Sequence, residues 1–321
     1  MSTASIRSLA WLVVCTLPLA CTSEPGTHPA APRLDAMSFA NSEWSEPVNL
    51  GPVVNSSAAD NNPTLSPDGL SLYFASDRPG GLGNTDIWVA RRASTDSPWE
   101  TPIHLSAPVN TASVDGGPVL SPDGHLLFIH SGRPGGFGGN DIWVTHRTNT
   151  NDDTGWEAPV NLGPDVNTPD AEQGAAYVVS DRGGALYFTR GALALNAADL
   201  YRVEVGRDGR TEGPAAPVAE LNDPTRNDAA PTLRADSREI FFWSNRAGGV
   251  GGTDIWASTR RSVNDPWSPP VNWGGPPFNS TDDDLQPDLS HDGRTLLFTS
   301  SRPGGSGGND IWMSTRTPSG H

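Results

Sequence analysis

The stretch SSRPGGSGGNDIW, residues 300–312, is the last of four near-identical copies; the others are SDRPGGLGNTDIW (76–88), SGRPGGFGGNDIW (131–143) and SNRAGGVGGTDIW (244–256). A worn fifth copy, TRGALALNAADLY, spans 189–201. The aromatic residue that closes each copy falls at Trp88, Trp143, Tyr201, Trp256 and Trp312, so the unit recurs every 55, 58, 55 and 56 residues. Self-similarity at a fixed period of this size marks a repeat architecture. A phosphate cradle is excluded, because the glycines lead into a strand and no helix pattern or Lys-Ser/Thr follows. A nonapeptide calcium loop is excluded by the period and by an aspartate that comes one residue late.

Each unit reads as four short strands. NPTLSPDG supplies strand a and a tight Pro-Asp-Gly turn, LSLYFASD strand b, DIWVARR strand c and WETPIHL strand d, all punctuated by turn residues and rich in β-branched or aromatic side chains. Strand d recurs at Trp44, Trp99, Trp156, around 213–221 and at Trp267. Four strands per period predict an all-β fold, a five-bladed β-propeller of four-stranded antiparallel blades. The chain enters on a d strand and leaves on a c strand, so residues 44–50 are expected to complete the last blade and close the ring, which hides an otherwise open edge. The propeller is expected over 44–316, with a short tail at 317–321.

Pro-x-x-Ser-Pro-Asp-Gly, then Leu-x-Phe-x-Ser and Asp-Ile-Trp, resembles the WD-like propeller repeats of the TolB type. The resemblance covers about 44–316 and implies a propeller; TolB itself has six blades and a separate N-terminal domain for which this chain has no room. It implies no particular activity, since propellers host scaffolds, enzymes and sensors alike.

Residues 1–20 carry one charge, Arg7, an apolar run from Leu9 to Leu19 and small residues before Cys21, the layout of an export signal. PLAC at 18–21 resembles a bacterial lipobox, with Pro18 where leucine is usual, and implies lipidation of Cys21. The cysteines are only Cys15 and Cys21, so the exported domain is expected to hold neither a disulfide nor a free thiol. Residues 21–43 read as a flexible tether, and the expected location is the cell envelope, anchored to the outer membrane by lipid alone. All 21 basic residues are arginine and the net charge is −16, which disfavours nucleic acid and anionic lipid as partners.

In a meander with strand a innermost, the d-to-a crossings and the b-to-c loops share one face, here the top. Each crossing carries an Asn followed by an acid at the entry to strand a: Asp60, Asp115, Glu172, Asp228 and Asp284. Four of these stand three residues before a proline, and in the Glu172 blade Tyr177 takes the proline position. The expectation is a ring of five carboxylates at the channel mouth, holding a cation such as Ca2+, selecting a protein or glycan ligand, or capping its own turns. Arg78, Arg133, Arg246 and Arg302 are expected to pair with Asp86, Asp141, Asp254 and Asp310 across the b-to-c loops. His130 and Trp243 mark a strand-b position that varies between blades, where a ligand contact is expected. No nucleophile elbow, histidine metal pair or P-loop lysine is present. The leading expectation is therefore a non-enzymatic binding or protein-interaction scaffold with its ligand on the acidic top face. The alternative is a glycoside-active enzyme or lectin-like sugar binder, with Glu172 as general acid and Asp60 or Asp284 as base or nucleophile.

Overall fold

The computed structural model describes Met1 and residues 44–180, 183–273 and 278–317; the expected signal, Cys21 and the expected tether lie outside them. Among the described residues 20 strands form five four-stranded antiparallel sheets, a five-bladed propeller. Strand β1 (Val48–Asn49) comes first. Blade I is β2 (Asp60–Leu65), β3 (Ser71–Ser76), β4 (Asp86–Arg91) and β5 (Ile103–His104). Blade II is β6 (Asp115–Leu120), β7 (Leu126–Ser131), β8 (Asp141–His146) and β9 (Val160–Asn161). Blade III is β10 (Glu172–Ser180), β11 (Gly183–Ala192), β12 (Ala197–Val205) and β13 (Ala216–Pro217). Blade IV is β14 (Asp228–Leu233), β15 (Glu239–Ser244), β16 (Asp254–Thr259) and β17 (Val271–Asn272). Blade V is β18 (Asp284–Leu289), β19 (Thr295–Ser300) and β20 (Asp310–Thr315), with β1 as its outer strand.

The closure predicted from the strand count is present. Val48 stands opposite Met313 and Asn49 opposite Trp312, and the Ser314 hydroxyl donates to the Ser45 carbonyl across 269 residues of chain (2.6 Å). The outer strand of every blade is two residues long, which leaves little open edge to template pairing.

Both faces of each sheet pack on a neighbouring blade, so the inner strands read as unbroken apolar runs rather than alternations. Tyr73, Ile87, Val89 and Leu105 of blade I share one buried cluster with Leu127, Ile129, Trp143 and Trp156 of blade II. Phe74 and Trp88 do the same with Leu297 and Ile311 across the closure. The repeat tryptophans thus pack between blades, where a large side chain buries most surface.

The crossing asparagines add a polar clamp. Asn110 accepts from the Ile87 N–H (2.9 Å) and donates to the Ile87 carbonyl (2.9 Å), as a neighbouring strand would. Asn167 does the same to Ile142, Asn222 to Leu200, Asn279 to Ile255 and, across the closure, Asn55 to Ile311. Each blade is thereby joined to strand c of the blade before it.

Every innermost strand also carries a bulge that the sequence did not announce. The register skips two residues in β2, β6, β10, β14 and β18. The first skipped residue is left-handed each time: Asn62 (φ 49), Gly117 (54), Gly174 (56), Ala230 (47) and Gln286 (51). For the three non-glycines this backbone costs about 1–2 kcal/mol each, and it persists because partners fix it; the Ala230 N–H, for instance, donates to the Thr189 hydroxyl at 2.8 Å. The second skipped residue is the strand-a proline in four blades. In blade III that place belongs to Ala175, not to Tyr177.

Replacing Asn55 by Ala strips both partners from Ile311. The loss is expected to be about 2–4 kcal/mol, from two buried backbone groups left unmet, read as a lower urea midpoint at unchanged slope.

Candidate functional site

The five acids stand at equivalent entries to strand a, but none offers a surface: all five side chains are 0% exposed. Each is held by an arginine 18 residues on. Arg78 reaches Asp60 at 2.5 Å, Arg133 reaches Asp115 at 2.7 Å, Arg190 reaches Glu172 at 2.9 Å, Arg302 reaches Asp284 at 2.5 Å, and Arg246 pairs with Asp228. The carboxylates also accept backbone N–H groups of their own crossings, from Ser56, Thr111, Thr168, Asp223 and Ser280. The same arginines donate to the crossing carbonyls of Val54, Val109, Val166, Leu221 and Phe278. Burial raises Glu172 and Asp228 above the ordinary carboxylate range, against their hydrogen bonds and arginines.

The acidic mouth is therefore an arrangement of neutralised, capped turns. Among the described residues no three His, Cys, Asp or Glu side chains converge so as to hold a metal ion, and Ca2+ finds no ligand set at Asp60, Asp115, Glu172, Asp228 and Asp284. An acid-base pair built from Glu172 with Asp60 or Asp284 fails on the same ground, since each carboxylate is sealed behind its own arginine.

The expected pairing across the b-to-c loops is also replaced. Arg78 turns to strand a, and Asp86 instead accepts the loop N–H groups of Leu82 (2.9 Å) and Gly83 (3.0 Å). Asp141, Asp254 and Asp310 cap their loops in the same way. A Cβ on Gly81 would lie 2.0 Å from the Asp86 carboxylate, which is why the copies keep glycine there.

Blade III keeps the central pair by another route. Its motif has no arginine at the usual place, but Arg190 of β11 stands opposite Glu172, where Ser76 stands opposite Asp60 in blade I. The arginine thus approaches from within the strand, and its guanidinium lies 4.3 Å from the Tyr201 ring.

His130 and Trp243 occupy the variable strand-b position, with Ala75, Thr189 and Thr299 in the other blades. The His130 imidazole lies on Gly116 and Gly117; a Cβ on Gly117 would fall 2.4 Å from its Nδ1. Burial pushes its pKa down to about 4, so the ring is neutral. Trp243 is buried against Ala229 and Ala230, with Leu193 and Leu285 packed beside it. Both side chains thus pack on the residues at the start of the bulge in their own blades.

The cavity lies lower. A space of about 140 Å3 runs along the channel from the left-handed residues to the a-to-b turns, where Pro67, Pro122, Ala235 and His291 line it. None of the five acids, nor His130 or Trp243, is among its lining residues. One side is polar, with Asn62, Thr64, Thr232, Gln286 and Asp288; the opposite side is apolar, with Val119, Ala176 and Val178.

Asp288 is the residue that sequence reasoning missed. It holds the strand-a place filled by Thr64, Val119, Ala176 and Thr232 in the other blades. A carboxyl at a place otherwise small or β-branched is a signal of the same kind that singled out Trp243. Its Oδ1 accepts from the Thr64 hydroxyl (3.1 Å) and its Oδ2 from the Leu65 N–H (3.1 Å). These two donors do not offset burial, which pushes its pKa up to about 7.

No family model matches the chain, and the comparison with curated proteins found no match. Solved structures share the fold across most of both chains. The α-L-arabinofuranosidase from Lactobacillus brevis is 13% identical over 83% of this chain and 92% of its own, with a TM-score of 0.54. A GH62 hydrolase in complex with xylotriose is 13% identical over 84% and 97%, with a TM-score of 0.57. The native arabinanase of Bacillus subtilis is 14% identical over 83% and 96%, with a TM-score of 0.55. The expected likeness to TolB-type repeats therefore holds for the propeller architecture and not for that family in particular. The expectation of a non-enzymatic scaffold with its ligand on an acidic top face does not stand: many of the similar propellers are glycosidases, and the acids of that face are buried and paired.

Two outcomes follow from this geometry. Arg133→Met leaves Asp115 charged, buried and unpaired, an expected loss of about 3–5 kcal/mol in chemical denaturation, while adding Asp115→Asn to it recovers much of the loss. Asp288 binds its proton more tightly folded than unfolded, so its contribution to stability is full below the unfolded pKa and is lost as pH rises through about 7. Asp288→Asn should remove that decline between acidic and neutral pH, measured as the pH slope of unfolding free energy against wild type.

Proposed function

We propose that this protein acts on glycans, holding one sugar unit in the central cavity with Asp288 as proton donor and His291 as proton acceptor. The observation that carries this reading is a carboxyl group, Asp288, lining a concave, two-sided cavity, where burial pushes it toward its protonated form. A sugar ring has a hydroxyl edge and an apolar C–H face; the amide and hydroxyl side of the cavity suits the first and the Val119 side the second. At about 140 Å3 the cavity is far larger than an ion needs, since one water takes roughly 10–15 Å3 of such space.

The acid-base assignment rests on opposite displacements. Burial raises Asp288 to about 7, and the partial desolvation of His291, which still has an exposed surface, lowers it from the ordinary imidazole value. Near neutral pH the first can give a proton while the second can take one, the condition that lets one site run both steps. Among the described residues the Asp288 oxygens accept only from Thr64 and Leu65, and the residue lines the cavity, which leaves its carboxyl able to offer a proton there. In the hydrolytic step Asp288 protonates the leaving glycosidic oxygen as its bond to the anomeric carbon breaks. Water adds at that carbon and gives its proton to His291. The pair is a carboxyl and an imidazole where most glycosidases use two carboxyls.

The structural likeness to arabinofuranosidases, an arabinanase and a hydrolase holding xylotriose sets arabinose- and xylose-containing glycans as the first to test. With arabinan, arabinoxylan and xylotriose as probes, the wild type is expected to release sugar, with a rate that falls as pH rises through about 7. Asp288→Asn is expected to lower that rate by about 10²–10⁴-fold with the melting temperature retained. A wild type that neither turns over nor is thermally shifted by any of them defeats the reading, as does an Asp288→Asn variant of full activity.

We also propose that the enzyme works in the cell envelope, tethered through a lipid on Cys21. The signal layout and the PLAC sequence support this. Cys21→Ala should move the protein from the detergent-soluble membrane fraction to the aqueous one.

A further inference from the structure

We propose that the cavity is blind, entered only from the a-to-b turn face, so that it takes the end of a glycan chain and never an internal stretch. This rests on the glycan reading above and adds to it the mode of substrate entry.

The far end of the cavity is the ring of left-handed residues. At the junction of blades V and I the Gln286 side-chain oxygen accepts from the Asn62 N–H at 3.0 Å and from the Thr299 hydroxyl at 2.9 Å, which lays the carboxamide across the channel wall. At the junction of blades III and IV the backbones touch: a Cβ on Gly174 would lie 2.9 Å from the Ala230 Cα. Directly above, His130 covers Gly116 and Gly117, and Trp243 closes over Ala229 and Ala230 with Leu193 and Leu285. The variable strand-b position, which elsewhere offers only Ala75 or a threonine, thus carries its two bulkiest side chains at the level beyond the cavity's lining, and these are the groups taken to block it.

The opposite end is lined by the turn residues Pro67, Pro122, Ala235 and His291, and His291 there is exposed. A polymer threaded through the channel would have to pass the plugged level. A chain end has only to enter from the turn side, and it then meets Asp288 from blade V and the Thr64 and Thr232 hydroxyls of its neighbours.

Chain-end and internal recognition differ in how binding scales with length. The probes are arabino-oligosaccharides from the trisaccharide upward, and linear arabinan, titrated into the full-length protein. For end binding the Kd per mole of chain is unchanged across the series, and hydrolysis yields the monosaccharide as the first product. A Kd per mole of chain that falls in proportion to the number of units, or a first product that is a mixture of longer fragments, overturns the blind pocket and leaves the glycan reading in place. Binding by no member of the series overturns both. Val119→Phe, which fills the cavity from its apolar wall, is expected to abolish binding at every length; retained binding places the ligand elsewhere and overturns the proposal. If that variant shows no folded melting transition, the length series decides alone.

Discussion

A carboxylate with no exposed surface, caught between an arginine and the backbone that leads to it, is the constraint on which the rest of the propeller depends. Each such pair fixes the crossing from one blade to the next, because the arginine also takes a crossing carbonyl and the carboxylate also takes a crossing N–H. Paired buried ions are a weak source of net stability, yet removing one partner is severe. Their effect is to make the path of the crossing unique. Once that path is set, the crossing asparagine can imitate a strand edge toward the previous blade, and the strand-a bulge follows at a fixed distance. The arginines stack on the strand-b and strand-c aromatics as well, at 4.9 Å from Phe74 and 5.3 Å from Trp88 in blade I, so the polar pair and the apolar core are one unit.

The architecture was legible because a period of about 55 residues with four strand signals per period admits few solutions, and the closing strand followed from counting. The equivalence of the five acids was legible too, but their partners were not. Spacing along the chain suggested Arg78 with Asp86, which bracket one loop; the actual partner, Asp60, is farther in sequence and adjacent across the hairpin. Blade III misled for the same reason. Its longer hairpin moves the arginine into the strand, so the motif looks empty while the contact survives through Arg190. The bulge at Asn62, Ala230 and Gln286 carries no sequence signature, since nothing local requires those residues to be left-handed. It is imposed by neighbouring blades.

Asp288 shows the limit of reading repeats by their shared features. Attention to what recurs found scaffold: acids, asparagines, glycines and tryptophans that build each blade. The cavity is lined instead by the strand-a positions where the blades disagree, and Asp288, the carboxyl among them, belongs to no repeated feature. The five-fold frame supplies a channel of nearly uniform backbone, and single substitutions on it give that channel a polar side, an apolar side and a plugged end.

The strand that completes blade V comes from the opposite end of the propeller sequence, and that has a consequence for when the ring can form. Blades I to IV are each local hairpins with short contact distances. Blade V stays incomplete until the segment around Ser45 meets the one around Ser314. Forming that contact carries the largest loop-closure entropy in the fold, so it gains the least from local chain connectivity. Whenever it is open, the edge of β20 is unpaired and available to the same segment of a second copy.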